Sequence, residues 1–347
     1  MKIKNIVFRV DSGKGVGWGH MMRCFALAQK FKEKNYNVSF IVRPHLNNIS
    51  HILTKNGFNV FYLKNKKYYW KEDAIQTKNI IKNIDNIDWL VVDNYGLDVR
   101  WEKFVRSNVK KLMVIDDMTL RTHECDLLLD QNYYKNPNKL YSKFISKKSK
   151  ILIGPKFALI RNNFYEKRKK LKLRNGKINR ILISFGGSDN TYEILKVVNA
   201  ITELDNKKIN VDLLLPNPNK NYLKIQKILS NFTNITIHYQ NLDVAGLMIN
   251  ADLAVGAGGS SNWERCCLGL PSIVSICGKN QLQLTKELEE KGCIVNLGMS
   301  KKISSKNYTD IIKNLDKFTL NKMSKNGLKL VDGKGTLRVV KEMLNFQ

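Results

Sequence analysis

Acidic residues are scarce in this chain. Of 347 residues only 30 are Asp or Glu, against 59 Lys or Arg, so the formal net charge is +29. Proline is scarcer still, at six, and with 21 glycines there is no room for a low-complexity linker of any length. The six cysteines are Cys24, Cys125, Cys266, Cys267, Cys277 and Cys293, and no two form a Cys-x-x-Cys pair. Zinc spacing is therefore absent, and buried free thiols in a reducing cytosol are the expectation. No Asp-x-Asp pair offers a divalent metal site. No apolar run approaches the length of a membrane span. Residues 1–10 are too short and too charged for a signal peptide. A cytoplasmic protein without stable membrane insertion is expected, with neither metal nor cofactor.

The excess of basic charge admits nucleic acid, an anionic membrane or an anionic substrate as partner. The lysines, however, are scattered and mixed with asparagine, as in Lys64-Asn65-Lys66-Lys67. There is no helix-turn-helix signature and no RNA-stacking motif. Charge alone is a footprint and not a site, so no nucleic-acid partner is expected. The apolar fraction of 43% suffices for globular domains, and the length suits two of them.

The stretch with the most chemistry runs from Val10 to Arg23, Val-Asp-Ser-Gly-Lys-Gly-Val-Gly-Trp-Gly-His-Met-Met-Arg. An apolar strand, residues 3–10, precedes it, and Cys24, Phe25, Leu27, Ala28 and Phe31 follow at helical spacing. Glycines let the backbone turn sharply there and let a ligand come close. Unpaired N–H groups at the helix start attract phosphate. That positive end disfavours imidazolium, so His20 is expected to be neutral and able to accept a proton. The alternative is a capping or packing histidine. The glycines do not fit the dinucleotide fingerprint: every Gly-x-Gly in the loop lacks its third glycine. The second strand also ends at Arg43 instead of an acid, which disfavours a nicotinamide enzyme.

Short apolar strands alternate with helical patterns along the whole chain. Strands are expected at 38–42, 60–63, 89–93, 112–117 and 127–130, with helices at 47–56, 75–84 and 100–107. The pattern breaks near 155–178 and restarts with strands at 181–185, 211–215, 235–238, 253–255 and 272–276. Helices are expected at 192–202, 244–249, 262–268 and 283–291, and a last one at 331–346. Such alternation means parallel sheets with right-handed crossovers. The fold class is α/β, two Rossmann-like doubly wound domains facing a cleft, 1–160 and 161–347, with the last helix able to return to the first. Ligands in such sheets sit at the carboxyl ends of strands, where Asp11, Asp93, Tyr95, Asp116 and Asn132 fall.

In the second half, Gly258-Gly259-Ser260-Ser261 opens a helix, so its N–H groups and hydroxyls can hold a diphosphate. Glu264 lies on the helix face of Ser260 and Ser261, where a carboxylate can bind ribose hydroxyls; a capping box with Ser261 is the alternative. Gly186-Gly187-Ser188 is a weaker loop on the same side, and Asn280 and Gln281 either bind a sugar or phosphate or cap their loop.

Together these residues carry a resemblance. Arg9-x-Asp11, Gly17-x-Gly19-His20-x-x-Arg23, Asp93-Asn94-Tyr95 and Ile115-Asp116-Asp117 make its first half. Ile153-Gly154-Pro155, Leu159-Ile160-Arg161, Ser184-Phe185-Gly186-Gly187-Ser188-Asp189, Gly256-Ala257-Gly258-Gly259-Ser260, Trp263-Glu264-Arg265 and Asn280-Gln281 complete it. In this order the chain resembles the UDP-2,4-diacetamido-2,4,6-trideoxy-β-L-altropyranose hydrolases of pseudaminic acid biosynthesis. These are related to the spore-coat polysaccharide protein SpsG and similar to metal-independent glycosyltransferases of the GT-B fold. The resemblance implies that His20 activates water, which attacks the anomeric carbon and expels UDP with inversion. It implies sugar contacts from Arg9, Asp11, Gly17, Gly19, Arg23, Asp93, Tyr95, Asn280 and Gln281. UDP would lie on Gly186, Gly187, Ser188, Gly258, Gly259, Ser260, Ser261 and Glu264. The partners are then a UDP-sugar and water, and a monomer is expected. Rival readings are a GT-B glycosyltransferase, which needs an acceptor to release UDP, and a non-catalytic nucleotide- or nucleic-acid-binding protein.

Overall fold

A computed structural model gives the fold. It describes residues 4–64, 69–119, 121–135, 137, 140–187, 190–204, 208–216, 222–239 and 243–346. The chain forms two compact units, one of Met1–Arg161 with Lys334–Gln347 and one of Asn162–Gly333.

The first unit contains strands β1 (Asn5–Val10), β2 (Asn37–Val42), β3 (Asn59–Tyr62), β4 (Ile87–Asp93), β5 (Lys111–Ile115), β6 (Leu127–Asp130) and β7 (Lys150–Ile153). Its first helices are α1 (Gly19–Lys32), α2 (His51–Lys55), α3 (Trp70–Ile81) and α4 (Val99–Val105). The sheet order is β3-β2-β1-β4-β5-β6-β7, and every neighbouring pair is parallel. Successive residues of β1 serve opposite faces, as strand geometry requires. Ile6, Phe8 and Val10 pack with Cys24, Leu27 and Phe31 of α1. Val7 packs with Ala74 and Ile81 of α3 and Trp101 of α4. A strand buried on both faces must be almost wholly apolar, which is why β1, β4, β5 and β6 stand out in the sequence. The helix expected at 47–56 is shorter than its pattern. Asn47 takes φ +59 and residues 45–50 turn first, so only His51–Lys55 is helical.

The second unit contains α5 (Asn162–Lys169), β8 (Arg180–Ser184), α6 (Thr191–Leu204), β9 (Asn210–Leu215), α7 (Leu223–Leu229) and β10 (Ile235–Tyr239). It continues with α8 (Val244–Asn250), β11 (Leu253–Ala257), α9 (Ser261–Cys267), β12 (Ser272–Ile276), α10 (Leu282–Glu290), β13 (Val295–Met299), α11 (Ser305–Asn314) and α12 (Lys317–Leu330). Its sheet runs β10-β9-β8-β11-β12-β13, again all parallel. The basic stretch after α5 is partly structural. Arg168 donates to the carbonyls of Cys267 (2.6 Å), Leu328 (2.8 Å) and Val331 (3.0 Å). Arg174 donates to those of Met248, Ala251, Leu268 and Gly269 at 2.7–2.9 Å. Both guanidinium groups thus close the carboxyl ends of helices, where orphan carbonyls and negative dipole ends gather.

The last helix begins later than its apolar pattern. Gly333 takes φ +81, which an L side chain rarely adopts, and α13 (Gly335–Leu344) starts beyond it. Val339, Val340 and Met343 of α13 enter the core of the first unit beside β1 and α1. Thr336 Oγ1 fixes its start, accepting from Ile160 N at 3.0 Å and donating to Ile160 O at 2.9 Å. Among the described residues no helix is long and apolar enough to cross a membrane.

The α/β, two-unit, doubly wound GT-B architecture has one direct consequence for function. In the first sheet β1 has β2 on one side and β4 on the other, so the chain reverses direction between β1 and β4. In the second sheet the same reversal falls between β8 and β11. At each switch point the two following loops diverge and leave room for a ligand.

Candidate active site

At the first switch point, β1 runs into a loop pinned by its own backbone. Gly13 N donates to Gly17 O at 3.1 Å and Gly17 N to Gly13 O at 2.8 Å. Lys14 N donates to Leu46 O at 2.8 Å, and Trp18 Nε1 donates to Asn47 O at 3.2 Å. α1 then starts at Gly19, which puts His20 in its first turn and Arg23 one turn on. Both side chains meet Asp93, the last residue of β4. His20 Nδ1 lies 2.6 Å from Asp93 Oδ1. Arg23 Nε donates to Asp93 Oδ2 at 2.6 Å and Nη2 to Oδ1 at 2.7 Å. Cys24 Sγ adds a weaker donor at 3.5 Å. Burial pushes the Asp93 carboxyl up, but Arg23 and His20 outweigh it and hold it well below the usual carboxylate range.

An ionised Asp93 accepts a hydrogen bond from His20 Nδ1–H, which leaves the lone pair on Nε2. Nε2 bonds none of the described residues, and the His20 side chain keeps 11% exposure. Tyr95 packs its ring edge-on against the imidazole, centroids 4.6 Å apart at 85°. Its hydroxyl donates to Asp117, which also accepts from Arg23 Nη1 at 2.9 Å. Burial raises the Tyr95 phenol and the Asp117 charge raises it further, so it stays a donor. His20, Arg23, Asp93, Tyr95 and Asp117 thus form one connected cluster on three strand ends. The sequence marks Asp117 only through the pair Asp116-Asp117. The two acids point apart. Asp116 Oδ2 accepts from His123 Nε2 at 2.7 Å, and His123 Nδ1 lies 2.7 Å from Glu102. Asn132 joins the floor, with Nδ2 donating to Asp117 O at 3.4 Å.

Arg9 and Asp11, expected at the substrate, lie beneath this cluster with 0% exposure. Arg9 Nη1 and Nη2 reach Asp11 at 2.6 and 3.0 Å, and Nε and Nη2 reach Asp73 at 3.1 and 2.5 Å. Asp11 accepts also from Arg43 N at 2.7 Å and Asn94 Nδ2 at 2.8 Å. Asp73 accepts from Trp101 Nε1 at 2.8 Å and from the Arg43 guanidinium. The network ties the ends of β1, β2 and β4 to α3 and α4. An apolar pattern cannot reveal it, because Asp73 reads as an ordinary polar residue of an amphipathic helix.

At the second switch point, β8 leads to Gly186 and Gly187; Ser188 falls outside the described residues. β11 leads to Gly258, Gly259, Ser260 and Ser261. A Cβ on Gly258 would stand 2.3 Å from Thr285 Oγ1, so this loop lies against α10. Gln281 Oε1 accepts from Cys277 N at 3.0 Å, and its Nε2 is 3.8 Å from where a Gly259 Cβ would stand. The 258–261 loop and Gln281 are thus together, while Asn280 is exposed. Ser260 is the N-cap of α9 but makes no side-chain capping bond, and Glu264, in the first turn, is half-buried. Among the described residues no group of three His, Cys, Asp or Glu is placed to hold a metal ion.

The chain can be set beside known proteins. A family model described as "Protein of unknown function (DUF354)" matches residues 158–343. An uncharacterized protein of Methanocaldococcus jannaschii is 26% identical over 289 residues, 80% of this chain. The match spans only 56% of that relative's length. A UDP-2,4-diacetamido-2,4,6-trideoxy-β-L-altropyranose hydrolase of Campylobacter jejuni is 27% identical over 289 residues, 83% of this chain and 97% of that one. The spore coat polysaccharide biosynthesis protein SpsG of Bacillus subtilis is 23% identical over 336 residues, 95% of this chain and 94% of that one. Among solved structures, MurG of Acinetobacter baumannii aligns at TM-score 0.66 and 12% identity over 99% of both chains. A Neisseria meningitidis UDP-GlcNAc 2-epimerase bound to UDP-GlcNAc aligns at TM-score 0.68 and 14% identity, over 99% of this chain and 100% of that one. At such identities the structural likeness speaks for the fold.

Proposed function

We propose, for a chain that belongs to the DUF354 family of proteins of unknown function, that it is an enzyme that hydrolyses a UDP-sugar. The substrate is UDP-2,4-diacetamido-2,4,6-trideoxy-β-L-altropyranose or a close UDP-diacetamido sugar, in nonulosonic acid biosynthesis. The observation that carries the reading is the His20–Asp93 pair, 2.6 Å apart, with His20 Nε2 left for a water molecule. The name of the Campylobacter relative, which this chain covers to 97%, supports the substrate class.

The reaction asks little of the protein beyond a base and a held leaving group. Water donates a proton to His20 Nε2 as its oxygen attacks the anomeric carbon. The bond from that carbon to the diphosphate oxygen breaks, its electron pair leaves with UDP, and the configuration inverts. Asp93 holds the imidazole in the required tautomer and faces the positive charge that forms on it. Arg23 and Tyr95 fix the ring's direction and border the sugar with Gly17 and Gly19. The 186–187 and 258–261 loops hold the diphosphate and Glu264 the ribose, with Asn280 and Gln281 toward the phosphate or sugar. In this reading the protein acts as a cytoplasmic monomer and needs no metal, cofactor or nucleic acid.

The test is incubation with a panel of UDP-diacetamido sugars, in chelator, with free UDP measured and the product anomer read by NMR. UDP release without acceptor and an inverted anomer are expected, and the release falls by ~10²–10⁴-fold in a folded His20→Gln variant. Release that needs an added sugar acceptor would make the protein a transferase and overturn the reading.

A further inference from the structure

We propose that Arg265 is a built-in counter-charge for the nucleoside diphosphate, acting from beneath the 258–261 loop as a positioning residue that does not itself touch the ligand. The proposal rests on the reading that this loop holds UDP.

Three other buried arginines and the half-buried Arg174 set the comparison. Arg9, Arg23 and Arg43 are 0–5% exposed and each faces carboxylates: Asp11 and Asp73, Asp93 and Asp117, or Asp73. Arg174 forms no ion pair, with only the less direct charge of Asp252 nearby, and spends its N–H groups on four carbonyls at helix ends; burial lowers its pKa to about 10 as well. Arg265 is as deeply buried, at 3% exposure. Its Nη2 donates to Ala257 O at 2.7 Å and to Asn262 Oδ1 at 2.5 Å. Its Nε has no partner, and no described acid forms an ion pair with it. Burial pulls its pKa down to about 10, and Glu264 is the one acid that opposes this, without an ion pair. For Arg9 and Arg23 the balance runs the other way.

The neighbours of Arg265 lean in the same direction. Asn262 Nδ2 and Trp263 Nε1 are also buried without an acceptor. Three buried donors within four residues lack partners, and the strongest carries a full charge. Native interiors seldom leave such groups unmet without a reason. The position of the guanidinium supplies one. A Cβ on Gly256 would stand 2.6 Å from Arg265 Nη1 and 2.2 Å from Ser184 O. The guanidinium therefore fills the space that a side chain on Gly256 would need, at the carboxyl ends of β8 and β11. Those are the two switch-point strands, and their following loops are 186–187 and 258–261. A cation at that fork favours negative charge on either loop. It favours it more as electrons pass to the departing diphosphate.

The contacts to Ala257 and Asn262 could also serve structure alone, so the test separates charge from packing. UDP and uridine binding are measured by calorimetry on the full chain as wild type, Arg265→Gln and Arg265→Lys. Gln can keep the donor to Ala257 O without the charge, whereas Lys keeps the charge. Arg265→Gln is expected to weaken UDP at least about tenfold while leaving uridine within about twofold. Arg265→Lys is expected to restore most of the UDP affinity. Equal weakening of both ligands, no weakening, or failure of Lys to restore UDP binding would assign Arg265 to structure and overturn the proposal. Wild-type protein that does not bind UDP would remove the underlying reading, a different outcome from unchanged UDP binding in Arg265→Gln. Should Arg265→Gln not fold, the Arg265→Lys comparison decides: UDP binding lost selectively despite the retained charge counts against the proposal.

Discussion

His20 and Asp93 stand 73 positions apart in sequence and 2.6 Å apart in space, one at the start of α1 and the other at the end of β4. The sheet order joins them, because β4 is the neighbour of β1 across the switch point. If this pair is the base and its orienting acid, Asp93→Asn keeps the side chain's shape but removes the acceptor that fixes the tautomer, and activity is read on protein shown to be folded. UDP release is expected to fall by ~10²–10⁴-fold in Asp93→Asn and in His20→Gln. The double variant is expected to lose no more than the worse single one, since the pair acts as a unit. Additive losses in single-turnover assays would sink the pairing.

Asp117 offers a finer test of the same cluster. It accepts from Tyr95 and from Arg23, so it sets the ring that lies edge-on to His20. Asp117→Asn keeps the shape and weakens both bonds. A fall in kcat of roughly tenfold, with KM moved less, is expected for a residue that orients the base. Tyr95→Phe removes only the hydroxyl and is expected to cost about 1 kcal/mol of stability in urea titration.

The neighbouring acid leads to a pH effect. His123 is buried between Glu102 and Asp116, and its pKa is pushed up to about 9 although burial alone would lower it. A raised histidine stabilises the fold fully below its unfolded value of about 6.5, and that contribution fades as pH rises through about 9. Urea midpoints measured from pH 6 to pH 10 are expected to fall by the equivalent of roughly 3 kcal/mol in wild type, and not in His123→Gln. Parallel curves for the two proteins would contradict the buried imidazolium.

These cases also mark how far the sequence could be read. Strands such as β1 and β4 are buried on both faces, so their apolar runs name them and their ends name the loops. His20 and the 258–261 loop were visible for that reason. The segment from 292 to 330 holds β13, α11 and α12, yet its residue pattern names none of them. β13 is half-buried throughout, so neither a solid apolar run nor a clean alternation marks it. The two helices are diluted with Lys and Asn, and α12 carries Gly327 where it presses on Cys266. Their caps were legible signals: Ser304 with Asn307, and Asp316 accepting from Thr319 N at 2.6 Å. α7 is short too, seven residues with two lysines among its apolar positions. Partners such as Asp93 for His20 and Asp117 for Tyr95 come from different elements or from loops after different strands, and spacing within one element carries no trace of them.

The network under the site gives the last prediction. Asp73 is 1% exposed and holds Arg9, Arg43 and Trp101 at once. Burial works against its charge, but Arg9 and then Arg43 prevail and keep its pKa below the ordinary carboxylate value. Asp73→Asn would leave two buried guanidinium groups to share the carboxylate of Asp11. Breaking one side of a buried ion pair costs about 3–5 kcal/mol, so the variant is expected to unfold at much lower urea. The lowered carboxylate implies the companion effect in wild type: stability present above pH ~4 is lost as pH falls below it, because the unfolded chain then holds a proton that folding must strip off. Since Arg9 and Asp11 have no exposed surface, variant that remains folded in osmolyte is expected to keep KM for the UDP-sugar within about twofold. A large rise in KM with urea stability unchanged would instead place Arg9 and Asp11 at the substrate, as their spacing in the sequence first suggested.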